Sequence, residues 1–381
     1  MPRYTPPLRH SLVTLLVVFS AAAQPQTPDP LAQTFARELR PAVESLMIEF
    51  RDQRKYKAAD FPLPPERFEK FQTEVVTELA RALHLEDWVV RSPQGKRSPI
   101  QRLFKDRVVE RFTHAGVEME AHVVELPTGD QVPIVLCMPS GAGPYPAVAA
   151  FPGHGEHPLH DLVFGEDSYQ QAICARLARA GFASVAVEKV DSGYMSRDAP
   201  VGVDEDEITG FRMAMGSQVR AVQLMASLAA IEILAAHPKV DENRMGGTGV
   251  SLGGWLAMQT ALLNDRIQAI AEYGTKTVYL PDETEAVDFK GIGDICHVIP
   301  ETFRLGDRNL LLIPFAPKPL LSGHGGPKDR ASHSQYERYY KDIYEAQYKA
   351  LGKPDNFRYH MHDGGHATHA ETVIAFFKEI L

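Results

Sequence analysis

Cysteine is scarce, with three residues in 381, so a disulfide framework is excluded as the source of stability. An odd count leaves at least one thiol free, and Cys137 and Cys174 lie in apolar strand and helix patterns that read as buried positions. Positive charge is also in deficit: 40 Lys and Arg face 49 Asp and Glu, for a net charge of -9. That sign argues against nucleic acid or an anionic membrane as the main partner. There is no internal repeat, and no low-complexity tract beyond a Pro/Gln/Thr-rich stretch at Gln24 to Pro30. Long apolar runs are missing too, because Ser11 to Ser20 is too short to span a bilayer comfortably. What remains is a globular composition, 44% hydrophobic and 23% charged, in a chain long enough for one large α/β domain with an elaborated end or for two ordinary domains.

Residues 1–23 read as a secretory signal: Arg3, Arg9 and His10 precede the apolar run, and Ala21-Ala22-Ala23 offers a small-residue cleavage site. A secreted or periplasmic mature protein with no stable membrane insertion is therefore expected. Residues 24–106 hold a linker and a helical extension. Leu31 to Lys57 has helical spacing interrupted at Pro41, and Phe68, Phe71, Val75, Leu79 and Leu83 mark one face of an amphipathic helix. So short a helical pair has little core of its own, and packing on the main domain is expected.

Residues 107–381 form the expected catalytic domain. A period of two at Val108 to Phe112, Val117 to Leu126 and Val132 to Met138, broken by glycine turns, predicts an antiparallel meander. Continuous apolar runs follow at Ala147 to Phe151, Ala183 to Val187, Met245 to Thr248, Ala269 to Tyr273, Pro319 to Ser322 and Phe357 to Met361. Runs of that kind belong to parallel strands covered on both faces. Helical patterns at Ser168 to Ala180, Glu207 to Ala236, Leu252 to Leu263, Ser334 to Leu351 and Ala370 to Leu381 separate them. The alternation indicates a doubly wound α/β sheet, mostly parallel, entered through antiparallel strands.

Gly249-Val250-Ser251-Leu252-Gly253 is the most informative stretch, a serine between glycines where a strand turns into a helix. Such a turn is a nucleophile elbow: it is strained, and larger flanking side chains would clash with the neighbouring strand and helix. A serine hydroxyl is a weak nucleophile at neutral pH, so Ser251 needs a base and the base needs an orienting acid. In this sheet type the order is serine, acid, histidine. His366, in His362-Asp363-Gly364-Gly365-His366 after the last strand, is the base candidate, with His362 nearer the strand and expected to pack beside the site. Asp329, in the loop after Pro319 to Gly323, is the acid candidate, and Asp294 and Asp307 compete with it. Phe151-Pro152-Gly153-His154-Gly155-Glu156 ends the first buried parallel strand, where glycines let the backbone approach a reacting carbonyl. The Leu252 N–H is the other oxyanion donor. Asp191 to Asp206 and Thr275 to Pro317 read as segments covering the pocket.

Together these segments resemble the α/β-hydrolase superfamily, and within it the acetyl xylan esterase and dienelactone-hydrolase-like branches, over roughly Arg107 to Leu381. The resemblance implies a serine esterase with Ser251, His366 and Asp329 as its triad. It also implies the Glu156 N–H as the second oxyanion donor, since in related esterases the residue after His-Gly supplies it. A dienelactone hydrolase proper carries cysteine at the elbow, so Ser251 argues for ester hydrolysis. The implied partner is a small-molecule or carbohydrate ester, and no cofactor is implied.

Other readings compete. His154, His157 and His160 with Asp161, and His360, His362, His366 and His369, are dense enough to suggest a metal. A metal hydrolase needs no elbow serine, and the steps from His154 cross glycine and proline, so no metal is expected. The glycine run Gly246 to Gly254 lacks the downstream acid of a dinucleotide site. A prolyl-oligopeptidase-like peptidase shares the elbow and the catalytic order, but residues 24–106 are too few for a propeller. A catalytically silent binding protein would not need serine, acid and histidine together.

Overall fold

The computed structural model describes residues 48–49, 51–89, 103–195, 205–275, 295–328 and 334–381. The signal-like segment 1–23, the linker 24–30, most of the first helical stretch, Asp294 and Asp329 lie outside the described residues.

Helix α1 (Pro65–Ala82) begins with proline in its first turn, where the missing N–H costs nothing, and buries Phe68, Phe71, Val75, Val76 and Leu79 on one face. It is held to the rest of the chain by polar contacts as well. The Gln72 amide donates to the Pro314 and Ala316 carbonyls at 2.8 and 2.7 Å. The buried Gln347 amide pairs with both main-chain groups of Leu63.

Strands β1 (Lys105–His114), β2 (Val117–Glu125) and β3 (Gln131–Met138) form the antiparallel meander. Strand β4 (Tyr145–Phe151), helix α2 (Pro158–Val163), helix α3 (Ile173–Arg179), strand β5 (Ala183–Val187), helix α4 (Glu205–Ala214) and helix α5 (Val219–Ala235) follow. The chain continues through β6 (Val240–Val250), α6 (Leu252–Leu263), β7 (Ile267–Tyr273), β8 (Leu320–His324), α7 (Ser334–Ala350), β9 (Phe357–Met361) and α8 (Ala370–Ile380). The nine described strands make one sheet in the order β1-β2-β3-β5-β4-β6-β7-β8-β9, with β3 antiparallel to β5 and every later pairing parallel. Helices α1, α5 and α6 cover one face and α2, α3 and α8 the other, each face with its own buried apolar cluster. Sandwiched helices need no polar face, and every residue of α6 is buried.

After β4 the chain moves to one side for β5 and then to the other for β6. A crevice therefore opens at the carboxyl ends of β4 and β6, the usual ligand position in open α/β sheets. Register fixes it further, because Phe151 at the end of β4 pairs with Gly249 in β6.

Two helix expectations change. The pattern Glu207 to Ala236 is two helices, bent by 98° at Gly216, whose φ of +82° suits glycine. Ser168 to Ala180 is helical only over Ile173–Arg179, because Gln171 and Ala172 adopt φ of +54° and +45°. The Tyr169 carbonyl accepts from the Thr368 N–H at 2.9 Å instead of serving a helix. Among the described residues no single helix is long and apolar enough to cross a membrane.

Candidate active site

Ser251 occupies the turn between β6 and α6 with φ +60° and ψ -127°, a conformation that costs a non-glycine residue about 1–3 kcal/mol. Its N–H donates to the Tyr273 carbonyl at 2.8 Å, which ties the turn to β7. The glycines around it are required by contact: a methyl at Gly249 would collide with the Gly253 backbone, and one at Gly253 with the Phe151 carbonyl. Helix, elbow strand and β4 therefore approach more closely than side chains would permit. Leu252 is the first residue of α6, so its N–H has no carbonyl one turn back to bond, and the helix end adds a partial positive charge.

The loop after β4 runs beside this turn. A methyl at Gly153 would lie 2.9 Å from the Val250 carbonyl and would collide with the Tyr169 phenol oxygen. The Gly153 N–H is taken by Gln170 Oε1 at 2.9 Å, and Gln170 Nε2 donates to the Pro158 carbonyl at 3.2 Å. The Tyr169 hydroxyl donates to the His154 carbonyl. Gly153 is thus the loop residue against the elbow, while Glu156, three residues on, is exposed. Neither Tyr169 nor Gln170 stands out in the sequence. The one signal was four successive polar or aromatic residues, Ser168 to Gln171, at the supposed start of an apolar helix.

The loop after β9 sorts the histidines. His362 accepts from the Gly364 N–H at Nδ1 (3.0 Å) and meets the Ala367 carbonyl at Nε2 (3.1 Å), so both ring nitrogens serve the turn itself. His369 caps α8 by accepting from Thr372, and His360 Nδ1 lies 2.9 Å from the Tyr273 hydroxyl. His366 is half-buried, its ring nearly parallel to that of Tyr169 at 6.0 Å between centroids. Through Tyr169 and Gly153 the structure thus joins His366 to the elbow. The loop after β8 reaches the same place: a methyl at Gly325 would collide with the Gly365 carbonyl, and one at Gly365 would lie 3.6 Å from Lys328 Cβ. Lys328 immediately precedes Asp329, and Gly365 immediately precedes His366. Asp307, a competing acid, is buried 3.9 Å from Arg54 and accepts from the Asn309 N–H.

One turn along α6 from Ser251, Trp255 lines a cleft of about 600 Å³, open mouth included, that α1 walls with Val75 and Leu79. Arg308 stacks over the Trp255 ring at 3.7 Å, and Arg220 and His297 line the same cleft. The donor atoms of His154, Cys296 and His297 lie within 4.8 Å of one another, a spacing compatible with a metal. Burial lowers the His297 pKa well below the usual value, and the positive charges of Arg220, Arg308 and Lys189 lower it further. The same field opposes a cation among these three side chains.

Burial likewise holds His237 and His360 below the ordinary histidine value. A depressed histidine contributes stability above its unfolded pKa of about 6.5, and loses it as the pH falls toward the folded value. Glu188 has the opposite sign. Burial raises its carboxyl to about 6 against three main-chain N–H groups, so its contribution grows as pH falls through 6. The Tm is therefore expected to fall by on the order of a few degrees from pH 7.5 to 6 and to flatten below that, which calorimetry across that range checks.

Residues 139–291 match the dienelactone hydrolase family, a span that takes in the loop after β4 and the elbow but ends before His366. The chain has the α/β-hydrolase fold. It is 24% identical over 255 residues to the hydrolase YtaP of Bacillus subtilis, covering 65% of this chain and 82% of that one. In fold this chain is similar to a Bacteroides fragilis protein assigned as an acetyl xylan esterase: TM-score 0.65, 17% identity, 84% of this chain and 81% of that one. It is similar to a methylesterase at TM-score 0.59 and 18% identity, covering 89% and 68%, and to a Solibacter usitatus glucuronoyl esterase at 0.53 and 16%, covering 79% and 91%.

Proposed function

We propose that this hydrolase cleaves carboxylic esters, those of carbohydrates included, through an acyl-enzyme on Ser251, and that it does so as an exported protein. The observation that carries the reading is the strained turn at Ser251, held by glycine contacts on both sides at the crevice of the sheet. His366 takes the serine proton as the hydroxyl attacks the ester carbonyl, and returns it to the leaving alcohol. Water activated by the same imidazole then releases the acid. His362 is a poor alternative base because both its nitrogens are engaged.

Asp329 orients His366 and stabilises its cation. The packing of Lys328 against Gly365 supports this, since it brings the chain before the acid alongside the chain before the base. The developing oxyanion is held by the Leu252 N–H and by a main-chain N–H of the loop after β4, at Glu156 by the family pattern or at His154, which directly follows the Gly153 contact. Each donor of this kind contributes about 3–4 kcal/mol in the transition state. The solved relatives named for acetyl, methyl and glucuronoyl ester cleavage support an ester of a carbohydrate, and the signal-like residues 1–23 support export.

Rates on a p-nitrophenyl acyl series beside acetylated xylan test the reading. Activity concentrated on the shortest acyl groups is expected, and activity only on long chains would contradict it. Asp329→Asn is expected to lower kcat by about 10⁴-fold, because the imidazole loses its orienting partner. The same loss in Asp294→Asn, with Asp329→Asn unaffected, would move the acid.

A further inference from the structure

Two loops from opposite sides of the crevice must hold still together. One carries the base after β9, and the other carries a main-chain oxyanion donor after β4. Residues 168–170, between α2 and α3, contact both. The Tyr169 hydroxyl donates to the His154 carbonyl, its ring lies 15° from parallel with that of His366, and its own carbonyl accepts from the Thr368 N–H at 2.9 Å. Gln170, next in the chain, accepts from the Gly153 N–H. That bond takes the Gly153 N–H, and His154, the next residue of the loop, is the one whose carbonyl Tyr169 fixes.

We propose that Tyr169 is a positioning residue that locks the base loop to the oxyanion loop, so that one side chain sets both the plane of the His366 imidazole and the direction of the peptide groups at His154. The proposal rests on the esterase reading of the site. The His154 carbonyl bond fixes the peptide that links His154 to Gly155, and the hydrogen bond of Gln170 fixes the one that links Pro152 to Gly153, so the Gly153–His154 peptide between them is held from both sides. Together they prevent the loop from rotating its N–H groups away from the developing charge. Donors aimed before reaction need no reorganisation during it, which is where such groups gain their effect. The phenol suits the task because burial pushes its pKa well above the ordinary value, so it remains a proton donor over the whole working range. The ring plane also limits the imidazole to orientations parallel to it. Main-chain strain at Gln171 and Ala172, both at positive φ, is consistent with a segment shaped around these contacts and not around a helix.

Tyr169→Phe keeps the ring and removes the hydroxyl, and Tyr169→Leu removes both. For Tyr169→Phe we expect kcat to fall about 10- to 100-fold with KM and the acid-limb pKa of kcat/KM unchanged, because only the oxyanion loop is loosened. For Tyr169→Leu a larger fall in kcat and a shift of that acid-limb pKa are expected, since the His366 ring loses its neighbour. Circular dichroism and Tm establish that each variant is folded, and the conservative phenylalanine variant keeps the test available if the leucine variant is not. Wild-type kcat in folded Tyr169→Phe, or an identical acid limb in folded Tyr169→Leu, would overturn the proposal. Absence of hydrolysis by the wild-type enzyme would instead overturn the esterase reading itself.

Discussion

Ser251→Ala is expected to abolish turnover, with kcat lower by about 10⁴-fold or more and the fold retained, because no other hydroxyl is presented on the elbow. A companion substitution separates chemistry from strain. Ser251 holds φ +60° and ψ -127°, a region open to glycine and costly to every other residue. Ser251→Gly should therefore be as inactive as Ser251→Ala and more stable than the wild type, with a Tm higher by a degree or more for about 1 kcal/mol of relieved strain. A lower Tm in the glycine variant would show that the turn is not strained in the way its dihedral angles imply. Substantial activity in the alanine variant would remove Ser251 from the chemistry.

The second large effect lies at a residue with no chemistry. A methyl at Gly253 would meet the Phe151 carbonyl, a main-chain atom that cannot rotate aside. Either α6 moves away from the end of β4 or the loop after β4 moves away from α6. Both displacements separate the Leu252 N–H from the loop proposed to carry the other oxyanion donor. A shift of about 1 Å at a reacting centre is enough to cost about 100-fold. Gly253→Ala is thus expected to lower kcat by about that factor or more, and to lower stability by about 1–3 kcal/mol through overpacking. Steady-state kinetics and denaturant unfolding check the two parts. A variant with wild-type kcat would mean that the close approach of helix and strand is not needed for the site.

The sheet was legible because its strands are written as apolar runs, or as alternation between glycine turns, and each of the nine falls on a described strand. In the Ala147 to Phe151 run of β4, burial on both faces leaves no polar position to blur the pattern, whereas β9 carries Arg358 and His360 in half-buried positions. Where strands continue past the core the signal fails: β6 begins at Val240, five residues before its apolar run, because Asp241, Glu242, Asn243 and Arg244 extend it in half-exposed or exposed positions. Helix breaks were harder. The apolar spacing of α4 and α5 is nearly continuous, and only Gly216 marks the corner. At 168–172 the helical pattern lost to tertiary contacts that no local spacing encodes.

The same division holds at the site. Ser251 and its glycines are a local motif, so their turn, helix and strand could be read directly. The distinction between His366 and His362 depends on which ring nitrogens the surrounding loop uses, and that appears only in three dimensions. Tyr169 and Gln170 reach the site from a segment about 80 residues before the elbow, and their roles are set by contacts with Gly153, His154 and His366.

The most direct test of the account is the mass of the full chain after exposure to a fluorophosphonate, followed by peptide mapping. A serine activated by a neighbouring imidazole attacks phosphorus and keeps the phosphonyl group, whereas ordinary serines do not react on the same timescale. A single stoichiometric adduct is expected on the peptide containing Ser251, absent from Ser251→Ala. No adduct, or an adduct on another residue that persists in Ser251→Ala, would contradict it.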